Sequence, residues 1–147
     1  MADTGLEQML CFELYNASRA ITSAYRPALD DLGLTYPQFI ALVVIWKRGS
    51  VTVRDLGDAL RLDSGTLSPL LKRLETAGLV TRTRGTTDER TVTITSTSLG
   101  DSLKERARDL PHRLACALGD LGITLDEATL LHHLLSRISS SARTLTI

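Results

Sequence analysis

A cysteine and a tyrosine fall on one face of the first helix that the sequence predicts. Residues 9–27 form the helix-favouring stretch MLCFELYNASRAITSAYRP. Within it, Cys11, Ser18 and Tyr25 lie near one stripe, because seven residues make almost two helical turns. Cys11 and Tyr25 are nevertheless separated by roughly 21 Å along the axis. The thiolate of Cys11 could act as a nucleophile, but it can meet Tyr25 only if a second copy of the chain supplies one of the two.

The other residues that could do chemistry are few. Cys11 could instead be a small buried apolar side chain, the commonest fate of a free cysteine. Cys116, in HRLACALGDLG, lies near the end of the fifth predicted helix on an apolar face and could be a buried structural thiol. The three histidines are too few and too badly spaced for a metal site, and we interpret them as surface or interface residues: His112, His132 and His133. Without a phosphate-binding loop or a Gly-x-Ser-x-Gly motif, we expect no cofactor, no metal and no enzymatic activity.

The strongest pattern predicts two helices arranged to bind DNA. Residues 51–84 have the sequence VTVRDLGDALRLDSGTLSPLLKRLETAGLVTRTR, in which regularly spaced leucines would pack a helix-turn-helix together. The start of a recognition helix enters a DNA major groove. Small polar residues occupy that part of the predicted second helix: Gly65, Thr66 and Ser68. The alternative is a helical hairpin whose basic face is merely solvated and does not bind DNA.

The second of these helices is expected over roughly residues 68–77. If Thr66 caps it, Pro69 falls in the first turn. Backbone N–H groups there have no intrahelical acceptor, so a proline costs no helical hydrogen bond. Lys72 and Arg73 would then extend toward phosphates.

The period then changes from helix to strand. Leu79–Arg84 and Thr91–Thr95 alternate apolar and polar residues, which predicts a β-hairpin with a charged tip. Asp88 precedes Arg90 by two residues, and its carboxylate can hold the arginine outward. An arginine on a narrow hairpin suits a DNA minor groove.

Helix-start signals define the remaining elements. We expect capping boxes or caps at these positions: Thr4 with Glu7, Thr35 with Gln38, Thr52, Thr97, and Thr124 with Glu127. The helix after Thr97 should run to about Leu118, and Pro27 should kink or restart the first helix. The predicted fold class is mainly α with a small β-hairpin.

These elements fit a single domain over residues 1–147. Residues 36–97 match a winged helix-turn-helix. Residues 1–35 and 98–147 form helices too amphipathic to stand alone in a small domain, so we expect them to build a two-fold dimer.

Composition supports a folded protein that is not in a membrane. Hydrophobic residues make up 43% and charged residues 23% of the 147 residues, an ordinary globular balance. The N-terminus lacks a signal peptide and no apolar run reaches membrane-spanning length, so we expect a cytoplasmic protein. The formal net charge is zero, but residues 1–31 carry two basic and five acidic side chains. Residues 61–84 carry five basic and two acidic, and such a local basic segment is what phosphate contact needs.

Four segments together resemble one family: LCFELYNASR (10–19), LTYPQF (34–39), LDSGTLSPLLKRLETAGLVTRTR (62–84) and DERTVTIT (88–95). Through them the chain resembles the MarR family of winged-helix repressors over almost its whole length. The resemblance is greatest to the branch that senses organic hydroperoxides. Ser96 departs from the family pattern, which usually has leucine there, and this weakens the packing under the hairpin.

The resemblance implies a homodimeric repressor that binds an inverted-repeat operator in double-stranded DNA. It implies that an organic hydroperoxide oxidises Cys11, while Tyr25 and Tyr36 from the other subunit hydrogen-bond to that thiol. Some such sensors have a second cysteine near the position of Cys116, which makes it a candidate resolving cysteine; others lack one. Two rival functions are a repressor controlled by a non-covalent small aromatic ligand, and a thiol peroxidase that would leave the DNA-binding pattern unexplained.

Overall fold

The computed structural model describes residues 6–88 and 90–141, apart from the side chains of residues 6–8. The expected cap at Thr4 lies outside these residues. The elements within them are, in order, α1 (Leu6–Asp30), α2 (Tyr36–Arg48), β1 (Ser50–Thr52), α3 (Val53–Leu60), α4 (Ser64–Thr76), β2 (Val80–Arg84), β3 (Val92–Ser96), α5 (Ser98–Ala107), α6 (Leu110–Asp120) and α7 (Leu125–Ser141). The predicted fold class is confirmed. The chain divides into two compact units, Met1–Leu110 and Pro111–Ile147.

Helix α1 continues through Pro27 to Asp30, so the prediction that this proline restarts the helix is wrong. A proline removes one intrahelical hydrogen bond. Because Pro27 lies in the final turn, the loss affects one bond near an end that frays in any helix.

Helix α2 forms the centre of the first unit. Its predicted capping box is confirmed, since Oγ1 of Thr35 accepts the backbone N–H of Gln38 and Oε1 of Gln38 accepts that of Thr35. Ala41, Leu42 and Ile45 have no exposed surface. They bury α2 among α1, α3, α4, α5 and the sheet. Burying a side chain such as leucine or isoleucine contributes roughly 1.5–3 kcal/mol.

Three short antiparallel strands form a sheet in the order β1-β3-β2. The β2–β3 pair is the predicted hairpin, and Ile94 at its centre pairs with Arg82 on one side and Val51 on the other. Ile94 is fully buried, so this pairing fixes the hairpin on the core. Strand β1 was not predicted, because three residues show too little periodicity and adopt strand conformation by pairing with β3.

The helix-turn-helix is bounded largely as predicted. Thr52 caps α3 by accepting the N–H of the third helical residue at 3.0 Å. At the end of α4, Gly78 has a φ of +71°, which glycine adopts without steric penalty. Its N–H donates to the carbonyl of Glu75 at 2.9 Å. The N–H of Leu79 donates to the carbonyl of Leu74 at 3.0 Å, so the turn satisfies two helix-end carbonyls and leads directly into β2.

Helix α5 begins at the predicted cap, Thr97. Its hydroxyl oxygen accepts the N–H of Gly100 at 3.1 Å, and the same hydroxyl donates to the carbonyl of Gly78 at 2.6 Å. The N–H of Thr97 also donates to the carbonyl of Leu79 at 3.0 Å. The start of α5 is therefore bonded to the turn between α4 and β2.

The helix predicted from Thr97 to about Leu118 is two helices. Helix α5 ends at Ala107 and α6 begins at Leu110. The break has a local cause: Pro111 has no N–H to donate to the carbonyl of Ala107, and its ring would clash with that carbonyl in a continuous helix.

In the second unit, α7 starts at the predicted capping box. Oε2 of Glu127 accepts the N–H of Thr124 at 2.8 Å, and Oγ1 of Thr124 accepts the N–H of Glu127 at 3.3 Å. Several large apolar side chains of α7 are exposed: Leu125, Leu130, Leu131, Leu134 and Ile138. Among the helices of residues 6–88 and 90–141, none has the length and apolarity needed to cross a membrane.

Candidate DNA-binding surface and thiol site

Helix α4 begins earlier than predicted, at Ser64. The prediction that Thr66 caps it is wrong, because Oδ1 of Asp63 accepts the backbone N–H of Thr66 at 2.8 Å. Hydrogen bonding from Thr66, above all from its backbone, lowers the pKa of the Asp63 carboxyl below its ordinary value. A carboxylate is also favoured at the positive end of the helix dipole. Asp63 therefore takes the capping role and draws Thr66 into the helix.

The small polar residues predicted to face DNA are exposed near the start of α4: Gly65, Thr66 and Ser68. Pro69 is the sixth residue of the helix rather than a first-turn residue. An ordinary residue at that position would donate its N–H to the carbonyl of Gly65. The exposed start of α4 therefore carries small side chains and a backbone acceptor without its usual helical donor.

The remainder of α4 separates into two faces. Its apolar face is buried in the first unit: Leu67, Leu70, Leu71 and Leu74. Lys72 and Arg73 are exposed on the other side, one turn beyond Ser68. The core thus fixes the orientation of α4, and its polar face is presented to solvent.

Asp88 organises the tip of the wing, the hairpin of residues 80–96. Its Oδ1 accepts the backbone N–H of Arg90 at 3.0 Å, and its Oδ2 accepts the hydroxyl of Thr91 at 3.3 Å. Gly85 lies close to this turn, since a Cβ there would be 2.6 Å from the Asp88 carbonyl oxygen. The carboxylate therefore holds the backbone of Arg90. The sequence pattern predicted instead that it would hold the Arg90 side chain outward. The Arg90 side chain is exposed.

A groove of about 910 Å³ lies between the start of α4 and the wing. Its lining includes Ser64, Ser68, and the three arginines Arg54, Arg82 and Arg90. Nε of Arg82 is 3.2 Å from Oε2 of Glu75, an ion pair whose N–H is not aligned for a hydrogen bond. The groove therefore carries three arginines from α3 and the wing, together with three aspartates: Asp55, Asp58 and Asp88.

Arg54 was missed by the sequence analysis. It is exposed in the first turn of α3, and no ion pair to it is found within the described residues. The signal was available, because the first helix of a helix-turn-helix crosses the DNA backbone. The basic segment identified from the sequence covers residues 61–84 and therefore does not include Arg54.

Tyr25 and Tyr36 lie together in an aromatic cluster with Phe39. The ring centroids of Tyr25 and Tyr36 are 5.4 Å apart, and those of Tyr25 and Phe39 are 5.9 Å apart. Burial, and to a lesser degree the neighbouring Tyr36, raises the pKa of Tyr25 above its ordinary value. The phenol of Tyr25 therefore stays protonated and available as a hydrogen-bond donor at neutral pH.

Cys11 is exposed on α1 as a free thiol. The rise of α1 separates it from Tyr25 by roughly 21 Å, so one chain does not bring this thiol to the tyrosine pair. Phe12 and Tyr15 beside it are also exposed. The oxidation predicted for Cys11, and the hydrogen bonds predicted from Tyr25 and Tyr36, remain predictions that require a second copy of the chain.

Cys116 is exposed on α6, and it is paired with a histidine. Its Sγ is 3.6 Å from Nδ1 and 4.0 Å from Nε2 of His112. The two residues are four apart, which puts them on one face of the helix. His112 was predicted only as a surface or interface residue, so its contact with the thiol is a new finding.

The chain is similar in sequence to known regulators of transcription. A family model described as the transcriptional regulator SarA/Rot matches residues 23–107. The organic hydroperoxide resistance transcriptional regulator of Bacillus subtilis is 52% identical over 106 residues, covering 72% of this chain and 72% of that protein.

Two solved structures with bound DNA have a similar fold. Reduced AbfR bound to DNA, a protein known from Staphylococcus epidermidis, superposes with a TM-score of 0.76 at 32% identity, covering 93% of each chain. A mutant of MarR from Escherichia coli, complexed with operator DNA, gives a TM-score of 0.80 at 25% identity. That match covers 93% of this chain and 99% of the other.

Proposed function

Because this chain belongs to the MarR family of winged-helix transcriptional regulators, which bind DNA and are not enzymes, we propose that it is a repressor that senses organic hydroperoxides. In this proposal, oxidation of Cys11 releases a homodimer from an inverted-repeat operator. The observation that carries it is the contact between Tyr25 and Tyr36, two phenols 5.4 Å apart. Together they form a donor pair suited to a thiolate that arrives from a second copy.

The DNA-binding part of the proposal uses the groove between α4 and the wing. Gly65, Thr66 and Ser68 meet base edges in the major groove, because only small side chains let the start of a helix approach closely. Arg90 enters the adjacent minor groove. The remaining cations bind phosphates: Arg54, Lys72 and Arg73.

The dimer is proposed from the apolar surface left exposed on α1 and α7. Met9, Leu10, Phe12 and Tyr15 on α1 are each more than half exposed, and the leucines of α7 are exposed as well. Exposed apolar surface of this kind on a helix marks an interaction site. A second copy is the simplest partner, and residues 1–35 and 98–147 would then form the interface while residues 36–97 bind DNA. Antiparallel crossing of two α1 helices would bring Cys11 of one chain to Tyr25 of the other.

The sensing reaction begins with the thiolate of Cys11. The anion attacks the terminal oxygen of the hydroperoxide, the O–O bond breaks and the sulfenic acid forms. The departing alkoxide takes up the proton that the thiol released and leaves as an alcohol. Because Cys11 lies beyond the first turn of α1, the helix dipole contributes little to its ionisation. Donation from Tyr25 and Tyr36 favours the thiolate instead. Apolar neighbours such as Phe12 and Phe39 favour an alkyl or lipid hydroperoxide over a small polar one.

Oxidation is proposed to proceed to a disulfide with Cys116 of the other subunit. Sulfenic acids condense with nearby thiols. Because a disulfide requires the Cα atoms within about 7 Å, its formation constrains where α6 can lie relative to α1 of the other subunit. That constraint would shift the DNA-binding elements and release the operator.

A second candidate function is supported by a small pocket of about 220 Å³ beside Tyr36. Thr22, Arg26, Asp30 and Thr35 also line it. A small aromatic acid could place its carboxylate near the Arg26 guanidinium, although Asp30 adds a negative charge to the same pocket. In that case a non-covalent ligand would control DNA binding, and Cys11 would be incidental.

One titration separates these functions. DNA selected from a random library by the reduced protein is the probe, and cumene hydroperoxide, hydrogen peroxide and benzoate are added separately. We expect cumene hydroperoxide to release the DNA, dithiothreitol to restore binding, and Cys11→Ser to remain bound. Release by benzoate in Cys11→Ser would favour the second candidate, and no release by hydroperoxide in the wild type would reject the first.

The DNA contacts are tested with the same probe. Arg90→Ala should weaken binding roughly tenfold or more, and Lys72→Ala should reduce the salt dependence by about one unit of slope. Arg108→Ala is the matched control, because its guanidinium pairs with Glu105 on α5 at 2.6 Å, away from the groove. Wild-type affinity in Arg90→Ala would show that the wing does not contact DNA in this way.

A further inference from the structure

The imidazole of His112 is held against the thiol of Cys116. Sγ lies 3.6 Å from Nδ1, within reach of a hydrogen bond that involves sulfur. Both side chains are exposed, so neither is placed by packing in the core. Within the described part of the chain, Cys116 is the only residue found within hydrogen-bonding distance of the His112 ring nitrogens.

We propose that His112 is the general base that activates Cys116 as the resolving thiol. The proposal rests on the function proposed above, because it needs a sulfenic acid on Cys11 of the other subunit. It assigns to His112 a step that follows sensing and does not affect the first oxidation of Cys11.

The resolving step is balanced as follows. His112 accepts the proton of the Cys116 thiol, and the thiolate attacks the sulfenic sulfur of Cys11. The S–O bond breaks and the S–S bond forms, while the departing hydroxide takes up the proton and leaves as water. The Cys116 sulfur is oxidised and the Cys11 sulfur is reduced from the sulfenic state. The net oxidant is the organic hydroperoxide, which has already left as an alcohol.

The surroundings of Cys116 leave this role to His112. Cys116 is the seventh residue of α6, too far from the N-terminus for the helix dipole to favour a thiolate strongly. The charged groups one turn away on α6 are Arg113 and Asp120, of opposite sign. A positioned base typically accelerates proton transfer by about 100- to 10,000-fold. Histidine suits this task because it is partly neutral at physiological pH.

The test follows the two oxidation steps separately in full-length protein. Protein is mixed with one equivalent of cumene hydroperoxide and quenched with acid at intervals. Sulfenic acid on Cys11 is trapped with a dimedone-type reagent and measured by mass spectrometry, and the covalent dimer is measured by non-reducing electrophoresis. His112→Asn keeps an acceptor near the position of Nδ1 but cannot take a proton. Lys47→Gln, at an exposed residue of α2 outside the proposed dimer interface, is the control.

We expect His112→Asn to form sulfenic acid at the wild-type rate and the covalent dimer roughly 100-fold more slowly at pH 7. Sulfenic acid should accumulate, and the disulfide rate should recover at about pH 9–10, where thiols ionise without a base. Lys47→Gln should behave as wild type. Equal DNA affinity of all reduced variants would show that they are folded.

Four results would overturn the proposal, and they differ in what else they affect. A wild-type disulfide rate in His112→Asn would remove the role of His112 and leave the proposed function intact. Equal slowing of both steps, without recovery at alkaline pH, would indicate a structural role. If hydroperoxide releases DNA but the wild type never forms the covalent dimer, Cys11 senses alone. If hydroperoxide neither oxidises Cys11 nor releases DNA, the proposed function itself fails.

Discussion

Nη2 of Arg106 donates a hydrogen bond to the backbone carbonyl of Asp31 at 2.8 Å, across 75 positions of sequence. The contact joins the last turn of α5 to the end of α1. At its other end, α5 is bonded through Thr97 to the turn that leads into the wing. Helix α5 therefore connects the helix that carries Cys11 to the hairpin that carries Arg90.

Removing the Arg106 contact should destabilise the first unit. Hydrogen bonds from charged groups contribute about 1.5–3 kcal/mol to the free energy of unfolding. Because Arg106 is exposed, we expect Arg106→Met to lower this free energy by only about 1 kcal/mol. The measurement is urea unfolding followed by far-ultraviolet circular dichroism. Arg108→Met is the control, since its ion pair with Glu105 is local and exposed. An equal loss in both variants would mean that the Asp31 contact does not matter.

Thr97 should be more sensitive to substitution than an ordinary cap. Thr97→Ala removes both the capping acceptor and the bond to the carbonyl of Gly78, so we expect a loss of about 1–3 kcal/mol. Thr97→Ser keeps the hydroxyl and should recover most of this free energy. Thermal unfolding of the two variants compares them directly. If serine is as destabilising as alanine, the methyl group of Thr97 dominates rather than its hydrogen bonds.

Asp88 should affect DNA binding through the shape of the wing. Asp88→Ala removes the acceptor for the N–H of Arg90, so the turn should loosen and affinity for operator should fall roughly tenfold. Asp88→Asn retains an oxygen at the same position and should bind nearly as wild type. Fluorescence anisotropy with labelled operator measures both. A large loss in Asp88→Asn, with alanine no worse, would point to the charge of Asp88 instead.

The Asp63 cap of α4 should make the free energy of unfolding depend on pH in the acid range. The hydrogen bond from Thr66 lowers the pKa of Asp63 in the folded chain. The Asp63 carboxylate therefore contributes its full stabilisation above the unfolded-state pKa of about 3.9. This stabilisation is lost as the pH falls through the lower pKa that Asp63 has in the folded chain. Asp63→Asn caps the helix without titrating. We expect the wild type to be the more stable at pH 6 and the difference to shrink as the pH falls below about 3.9, as measured by urea midpoints. A difference that does not change with pH would exclude this linkage.

Local signals predicted most of the fold. The caps at Thr35, Thr52, Thr97 and Thr124 each depend on a side chain that bonds a backbone N–H three residues away, and such bonds need no knowledge of the tertiary structure. Strand β1 could not be predicted in this way, because its pairing with β3 spans more than forty residues.

The errors arose where two local signals competed. Asp63 and Thr66 are both good caps, and placing Pro69 in the first turn favoured the wrong one. The break before Pro111 had a proline signal that was outweighed by apolar periodicity on both sides. The contact between Tyr25 and Tyr36 comes from packing α1 against α2, which a sequence pattern cannot give. The predicted approach of Cys11 to these tyrosines depends on a second chain.

The aromatic cluster has a consequence for optical spectroscopy. All six aromatic residues lie within the first 46 positions: Phe12, Tyr15, Tyr25, Tyr36, Phe39 and Trp46. The chromophores of near-ultraviolet dichroism and intrinsic fluorescence therefore lie in α1 and α2, while the wing, α4 and α7 contain none. Tyr25 and Tyr36 are close enough to exchange excitation energy, and Trp46 is the natural acceptor. If the proposed second chain brings a thiol to the tyrosine pair, it should quench this emission, so the proposed assembly and oxidation can be tested without any label.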